Sequence, residues 1–350
     1  MNDSKDVLRD LPPDPELAPG ARNAVCACLR IQPDEKVTLI TDRACLEIGA
    51  SLAHELDRNR FEYNAWILEE LAPRPLTDMP QLILEDMESS AVSIFAVKAQ
   101  PNELRTRMQM TDVVNRRKMR HAHMVNIDRR IMLEGMRADF LEVDRISTQV
   151  WQMASAAGEI RATTPAGTDI RGRFSPHLKW LKTSGIISPN KWGNLPGGET
   201  FTAPECVEGT FVVDGVVGDY LCEKYGDLRD NPLTIHVSKN RLVEAHSFNK
   251  ELEDDFWRYC HTDENSDRVG EFAIGTNIAV RDVIGNILQD EKIPGIHIAF
   301  GNPYAAHTGA DWYSATHIDV VGRNFDIWID GRQIMHAGAF LLDSFTAPAV

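Results

Sequence analysis

Near the C-terminus an apolar, β-branched run, residues 316–322 (THIDVVG), carries two ionisable side chains at alternate positions. Successive side chains in a strand point to opposite faces, so His317 and Asp319 share one face while Ile318 and Val320 share the other. A strand of this kind requires a sheet with one face in a core and the other lined by groups that need partners. An imidazole and a carboxylate aimed at one point suit a divalent metal. Two further apolar segments have the same character: residues 270–275 hold Glu271 and residues 295–301 hold His297. An ionisable group in such a strand must be paired, because burying it alone is costly.

The pattern along the chain changes once. Residues 36–42 (KVTLITD), 63–68 (YNAWIL) and 93–97 (SIFAV) read as strands separated by helical patterns at about 44–59 and 80–89. That rhythm predicts a small parallel sheet covered by helices. A helix from about 140 to 157 leads to a second half dominated by short strands, starting with a hairpin across Pro165-Ala166-Gly167 and interrupted by one helix near 249–262. The expected architecture is therefore an α/β domain (residues 21–155) after a polar, Pro-rich flexible leader (1–20). A β-rich metal-binding catalytic domain (156–350) follows, its strands forming a barrel or curled sheet.

A formal net charge of −15 argues against a nucleic-acid partner. No run of about twenty apolar residues occurs, so no membrane partner is expected. The first residues lack the apolar centre of a signal peptide, and the six cysteines read as reduced thiols, which together predict a cytoplasmic protein. The glycine fingerprints of nucleotide sites, the H-E-x-x-H zinc helix and the G-x-S-x-G elbow are all absent from the sequence. A basic cluster at 116–123 (RRKMRHAH) reads as a solvated or interface segment.

The remaining chemistry lies in dispersed motifs. Glu199 sits in a turn-rich entry to a strand, residues 194–204 (NLPGGETFTAP), and Tyr304 follows His297 past a Gly-Asn-Pro turn. In order, residues 194–204, 207–209 (VEG), 270–271 (GE), 297–304 (HIAFGNPY) and 317–319 (HID) resemble the aminopeptidase T (thermophilic, leucyl aminopeptidase) metallopeptidase family. The resemblance covers mainly residues 155–335. It implies Glu199, Glu271, His297, His317 and Asp319 as ligands of two divalent ions (Zn, Co or Mn), with Asp319 bridging and Tyr304 beside them. It further implies cleavage of an amide bond in a short peptide or small amide by a metal-activated water, with Tyr304, Glu199 and Glu271 as catalytic groups. A homodimer or higher homo-oligomer is implied as well.

Residues 316–331 (THIDVVGRNFDIWIDG) also look like the end of 2,5-dihydroxypyridine 5,6-dioxygenases, compact relatives of the same peptidases. That resemblance implies a single Fe(II) held by His317, Asp319 and either His297 or Glu271, for ring cleavage. In those relatives the position of Glu271 is expected to be histidine. Trp192, Phe201, Trp312 and Tyr313 offer rings that could stack on an aromatic substrate, and His307 reads as an exposed loop histidine.

Overall fold

The computed structural model describes residues 3–218 and 220–342. The outer ends of the expected leader and metal domain, residues 1, 2 and 343–350, lie outside the described residues, as does residue 219. The chain forms two compact units, one of residues 1–141 with 185–197 and one of 142–184 with 198–350.

The first unit is built on a five-stranded parallel sheet. Its strands are β1 (Lys36–Thr41), β2 (Glu62–Ile67), β3 (Val92–Val97), β4 (Arg120–Val125) and the short β8 (Gly193–Asn194), in the order β2-β1-β3-β4-β8. Every residue of β3 is buried, as a central parallel strand covered on both faces must be. The helices Leu46–Arg58, Gln81–Glu88 and Leu104–Arg117 lie between these strands in the chain.

Two readings of the sequence change here. The expected leader contains a helix, Asp3–Asp10, which fully buries Leu8 and brings Lys5 Nζ 2.7 Å from the Tyr63 carbonyl. One fully buried apolar side chain and a few polar anchors hold it, among them Ser4 with Glu70 and Arg9 with Asp57. The basic cluster is not one solvated segment. Arg116 and Arg117 end a helix beside Glu88, Lys118 turns the chain in a left-handed conformation, and Arg120–Val125 enters the sheet. His121 and Ala122 are buried there, so the positions facing inward are occupied partly by histidine, which hides the strand from a hydrophobicity count.

The second unit holds two antiparallel sheets rather than one barrel. The larger contains β5 (Glu159–Thr163), β6 (Asp169–Arg173), β10 (Cys206–Val213), β11 (Leu233–Ser238), β12 (Arg241–His246), β16 (Asp326–Ile329), β17 (Arg332–His336) and β18 (Ala339–Phe340). Their order is β12-β11-β10-β6-β5-β16-β17-β18. The smaller contains β7 (Leu181–Thr183), β9 (Glu199–Thr202), β13 (Val269–Gly275), β14 (Gly295–Gly301) and β15 (His317–Val321), ordered β15-β14-β13-β9-β7.

Alternation divides the smaller sheet into two chemically different faces. Phe272, Ile274, Ile298, Phe300, Ile318 and Val320 point into a core shared with the larger sheet. Phe300 meets the edge of Phe256 at 5.8 Å between ring centres, and Phe272 meets Phe174 at 5.3 Å. Each such buried side chain contributes about 1.5–3 kcal/mol through removal from water. That apolar face fixes the register, because a one-residue slip would turn the charged residues into the core.

Candidate metal centre

The opposite face of the smaller sheet carries the ionisable residues, and strand register determines their spacing. Glu199 pairs with Gly275, and His297 lies between Ala273 and Val321. Ala299 lies between Glu271 and Asp319, and His317 pairs with Gly301. Neighbouring strands stand about 4.8 Å apart, so each long polar side chain borders an alanine or glycine and has room to lean toward the others. Gly301 cannot be replaced freely: its φ is 103°, and an added Cβ would lie 2.2 Å from the Thr316 carbonyl oxygen. Gly198, with φ 131° and Asn277 against it, similarly fixes the entry of Glu199 into β9.

All five expected ligands converge. His297 Nε2 lies 3.5 Å from Glu199 Oε2 and 3.5 Å from Glu271 Oε1. The other Glu271 oxygen, Oε2, is 3.7 Å from His317 Nε2, which is 3.6 Å from Asp319 Oδ1. His317 Nδ1 lies 3.1 Å from the Asn302 carbonyl oxygen, which can only accept; Nδ1 therefore carries a proton and Nε2 faces the cluster. His297 Nε2 is buried without a hydrogen-bond partner among the described residues. An orphaned imidazole nitrogen facing carboxylate oxygens fits a divalent cation, since buried polar atoms are otherwise paired. Donor atoms of Glu199, Glu271 and His297 lie within 4.8 Å of one another, and so do those of Glu291, His297 and Asp319.

The electrostatics favour any cation that enters. Burial raises the Glu271 carboxyl, and the neighbouring Asp319 and Glu199 add to the effect. Burial likewise pushes Glu291 up to about 8. Burial alone would lower His317, but Asp319 outweighs it and holds the imidazolium up to about 10. The cluster is thus short of positive charge and draws protons to itself.

Tyr304 borders this centre in a left-handed conformation, φ 49° and ψ 49°, an outlier for a bulky residue. Its N–H donates to Asn302 Oδ1 at 2.9 Å, and its ring packs 4.8 Å from the His317 ring and 6.1 Å from Phe201. The residue as a whole is 41% exposed. Removal of its hydroxyl from water, reinforced by Glu271 and Asp319, still holds the phenol well above its ordinary value, so it remains a donor.

The sequence reading missed three participants. Lys292 is 1% exposed, with Nζ 2.7 Å from Glu199 Oε1 and 2.5 Å from Glu291 Oε1. The Thr183 hydroxyl also donates to Glu199 Oε1, at 2.9 Å. Residues 289–292 (QDEK) form an uninterrupted polar run. Gln289, Asp290 and Lys292 are buried and Glu291 half-buried, because Asp290 accepts the backbone N–H groups of Ile284, Gly285 and Asn286 and pulls the loop inward. Of the rings noted above, Trp192 packs against His121 and His123 in the first unit, and Trp312 lies over the Arg268 guanidinium. His307 is exposed.

Residues 148–327 match the thermophilic metalloprotease (M29) family. The chain belongs to that family. The matched stretch is more than half of the 350 residues and contains all six expected site residues. The chain is also similar to the 2,5-dihydroxypyridine 5,6-dioxygenase of Pseudomonas putida, 23% identical over 191 residues, or 52% of this chain and 54% of that protein. That alignment spans about half the length of the curated relative. The solved structure of the Pseudomonas putida KT2440 dioxygenase aligns with TM-score 0.66 and 14% identity, covering 95% of this chain and 99% of that one. Wild-type AmpT from Thermus thermophilus aligns with TM-score 0.67 and 17% identity, covering 93% and 99%. At these identities the shared property is the M29 fold: a parallel sheet with helices in the N-terminal region and large antiparallel sheets in the C-terminal region.

Proposed function

We propose that this M29 protein hydrolyses an amide bond in a short peptide or small amide, using a divalent ion at the Glu199, Glu271, His297, His317 and Asp319 cluster. The observation that carries the reading is the partnerless His297 Nε2 facing two buried carboxylates, with His317 and Asp319 beside them. Mixed oxygen and nitrogen donors suit Zn, Co or Mn. Such an ion supplies Lewis acidity and a bound water of lowered pKa. The remaining work falls to side chains. Tyr304, kept protonated by burial of its hydroxyl and by its carboxylate neighbours, donates to the oxyanion that forms as the carbonyl is attacked. Glu271, a carboxylate of the same cluster, would carry the water's proton toward the leaving amine. Glu199 is held by Thr183 and Lys292 and acts as a fixed anionic wall. The free cysteines and the absence of a membrane-crossing helix among the described residues are compatible with a cytoplasmic site of action.

Amine release from leucine p-nitroanilide by metal-loaded protein tests the reading. Loaded protein that releases no amine from this or other small amides would overturn it. One observation favours a second reading: similarity to a curated dioxygenase across 191 residues. In that reading His317 and Asp319, with His297 or Glu271, hold one Fe(II) for ring cleavage. Oxygen uptake with 2,5-dihydroxypyridine, without amide cleavage, would move the assignment there.

A further inference from the structure

Lys292 is the most unusual group in the second unit that the hydrolase reading does not use chemically. It is among the largest fully buried side chains of the protein, and its ammonium contacts two carboxylates at 2.7 and 2.5 Å. Its backbone is fixed on both sides, its N–H donating to the Gln289 carbonyl and its carbonyl accepting from Asn277 N–H. The ammonium is therefore positioned by the fold as the turn that delivers β14 closes, and it is not a surface group that has folded inward.

We infer that Lys292 is a resident cation that takes the place of a second divalent ion on the Glu199 side, so that the centre binds one divalent ion per chain. The inference rests on the proposed metal-dependent reading. Glu199 Oε1 receives both the Lys292 ammonium and the Thr183 hydroxyl, which occupies that oxygen's lone pairs and leaves only Oε2 toward His297. Glu291, part of the second possible donor group, has its Oε1 engaged by the same ammonium. The two donor groups that would serve two ions also share His297. A second dication would have to enter beside both the first ion and a buried ammonium that cannot leave without stranding Glu199. One divalent ion and Lys292 together supply three positive charges to the four carboxylates Glu199, Glu271, Glu291 and Asp319. A pair of dications would supply four to the same groups, and Lys292 a fifth.

The test is metal stoichiometry, independent of turnover. Metal-stripped protein is titrated with Mn(II) or Zn(II) by calorimetry, bound metal is counted after gel filtration, and the Mn(II) form is examined by electron paramagnetic resonance. Wild type and Lys292→Arg should bind one equivalent and give the spectrum of an isolated ion. Lys292→Gln, which keeps a donor without the charge, and Lys292→Met, which keeps the length, should each bind two equivalents and give a spin-coupled pair. Two equivalents in wild type would overturn the lysine inference and leave the metalloenzyme reading standing. So would one equivalent in whichever neutral variant folds. No bound ion in wild type would instead remove the metalloenzyme reading, and this inference with it.

Discussion

The histidine pair of the first unit makes a quantitative prediction about acid stability. His121 is fully buried; its Nδ1 lies 2.8 Å from the Ser93 hydroxyl and its Nε2 lies 3.1 Å from His123 Nδ1. Phe95 stacks on His123 at 5.6 Å, and Trp192 packs against both rings. Burial lowers His121 well below its ordinary value. Burial, reinforced by the Arg107 charge, pushes His123 down to about 3 from 6.5. The folded values lie below the unfolded one, so this stabilisation is complete above 6.5 and is lost as pH falls through it. At about pH 5 the unfolded chain has gained a proton on His123 and the native chain has not. A gap of about 1.5 pH units at about 1.36 kcal/mol per unit removes about 2 kcal/mol, and His121 acts in the same direction.

The assay is urea unfolding of the parallel-sheet unit, followed at about pH 7 and about pH 5, in wild type and His123→Gln. Glutamine can still accept from His121 Nε2 but does not titrate. His297 and His317, whose values are raised and whose contribution has the opposite sign, are common to both proteins and cancel. The variant should lose about 2 kcal/mol less than wild type over that interval. Equal losses in the two proteins would refute the argument.

Other outcomes follow from particular contacts. His317→Ala and Asp319→Asn should each abolish metal uptake while circular dichroism stays that of wild type, because both residues lie on the polar face of the sheet; metal content at the wild-type level would contradict their role. Tyr304→Phe should lower kcat by about 10²–10³-fold with metal content unchanged, the size expected for loss of one oxyanion donor. An effect confined to KM would assign the phenol to binding instead. Arg74 lies buried between Asp42 and Glu103 and donates to the Lys98 carbonyl at 2.8 Å. Arg74→Ala should destabilise the first unit by about 3–5 kcal/mol, measured by denaturant unfolding, because it strands two buried carboxylates.

Much of the fold was legible because local periodicity and burial agree. The β-branched runs read at 36–42 and 93–97 form the strands Lys36–Thr41 and Val92–Val97, and the helix read at 140–157 spans Phe140–Ser155. The expected site residues were legible for a related reason. Glu271, His297, His317 and Asp319 interrupt otherwise apolar strands, and a charge there stands out against its neighbours. β4 was missed because its inward positions include histidine, and Lys292 because a run of charged residues looks the same in sequence whether it faces water or a carboxylate pair.

The sequence by itself determined the alternation that gives each strand of the smaller sheet an apolar face and an ionisable face, since side-chain direction in a strand is a property of the backbone. It could not determine which strands become neighbours. Only the tertiary structure paired β13 with β9 and β14 and β14 with β15, set Ala273, Gly275, Ala299 and Gly301 as spacers, and brought five candidate ligands from four strands to one place. Only the packed loop before β14 turned Lys292 inward, because the three backbone donors that fix Asp290 exist as a group only once the chain has folded.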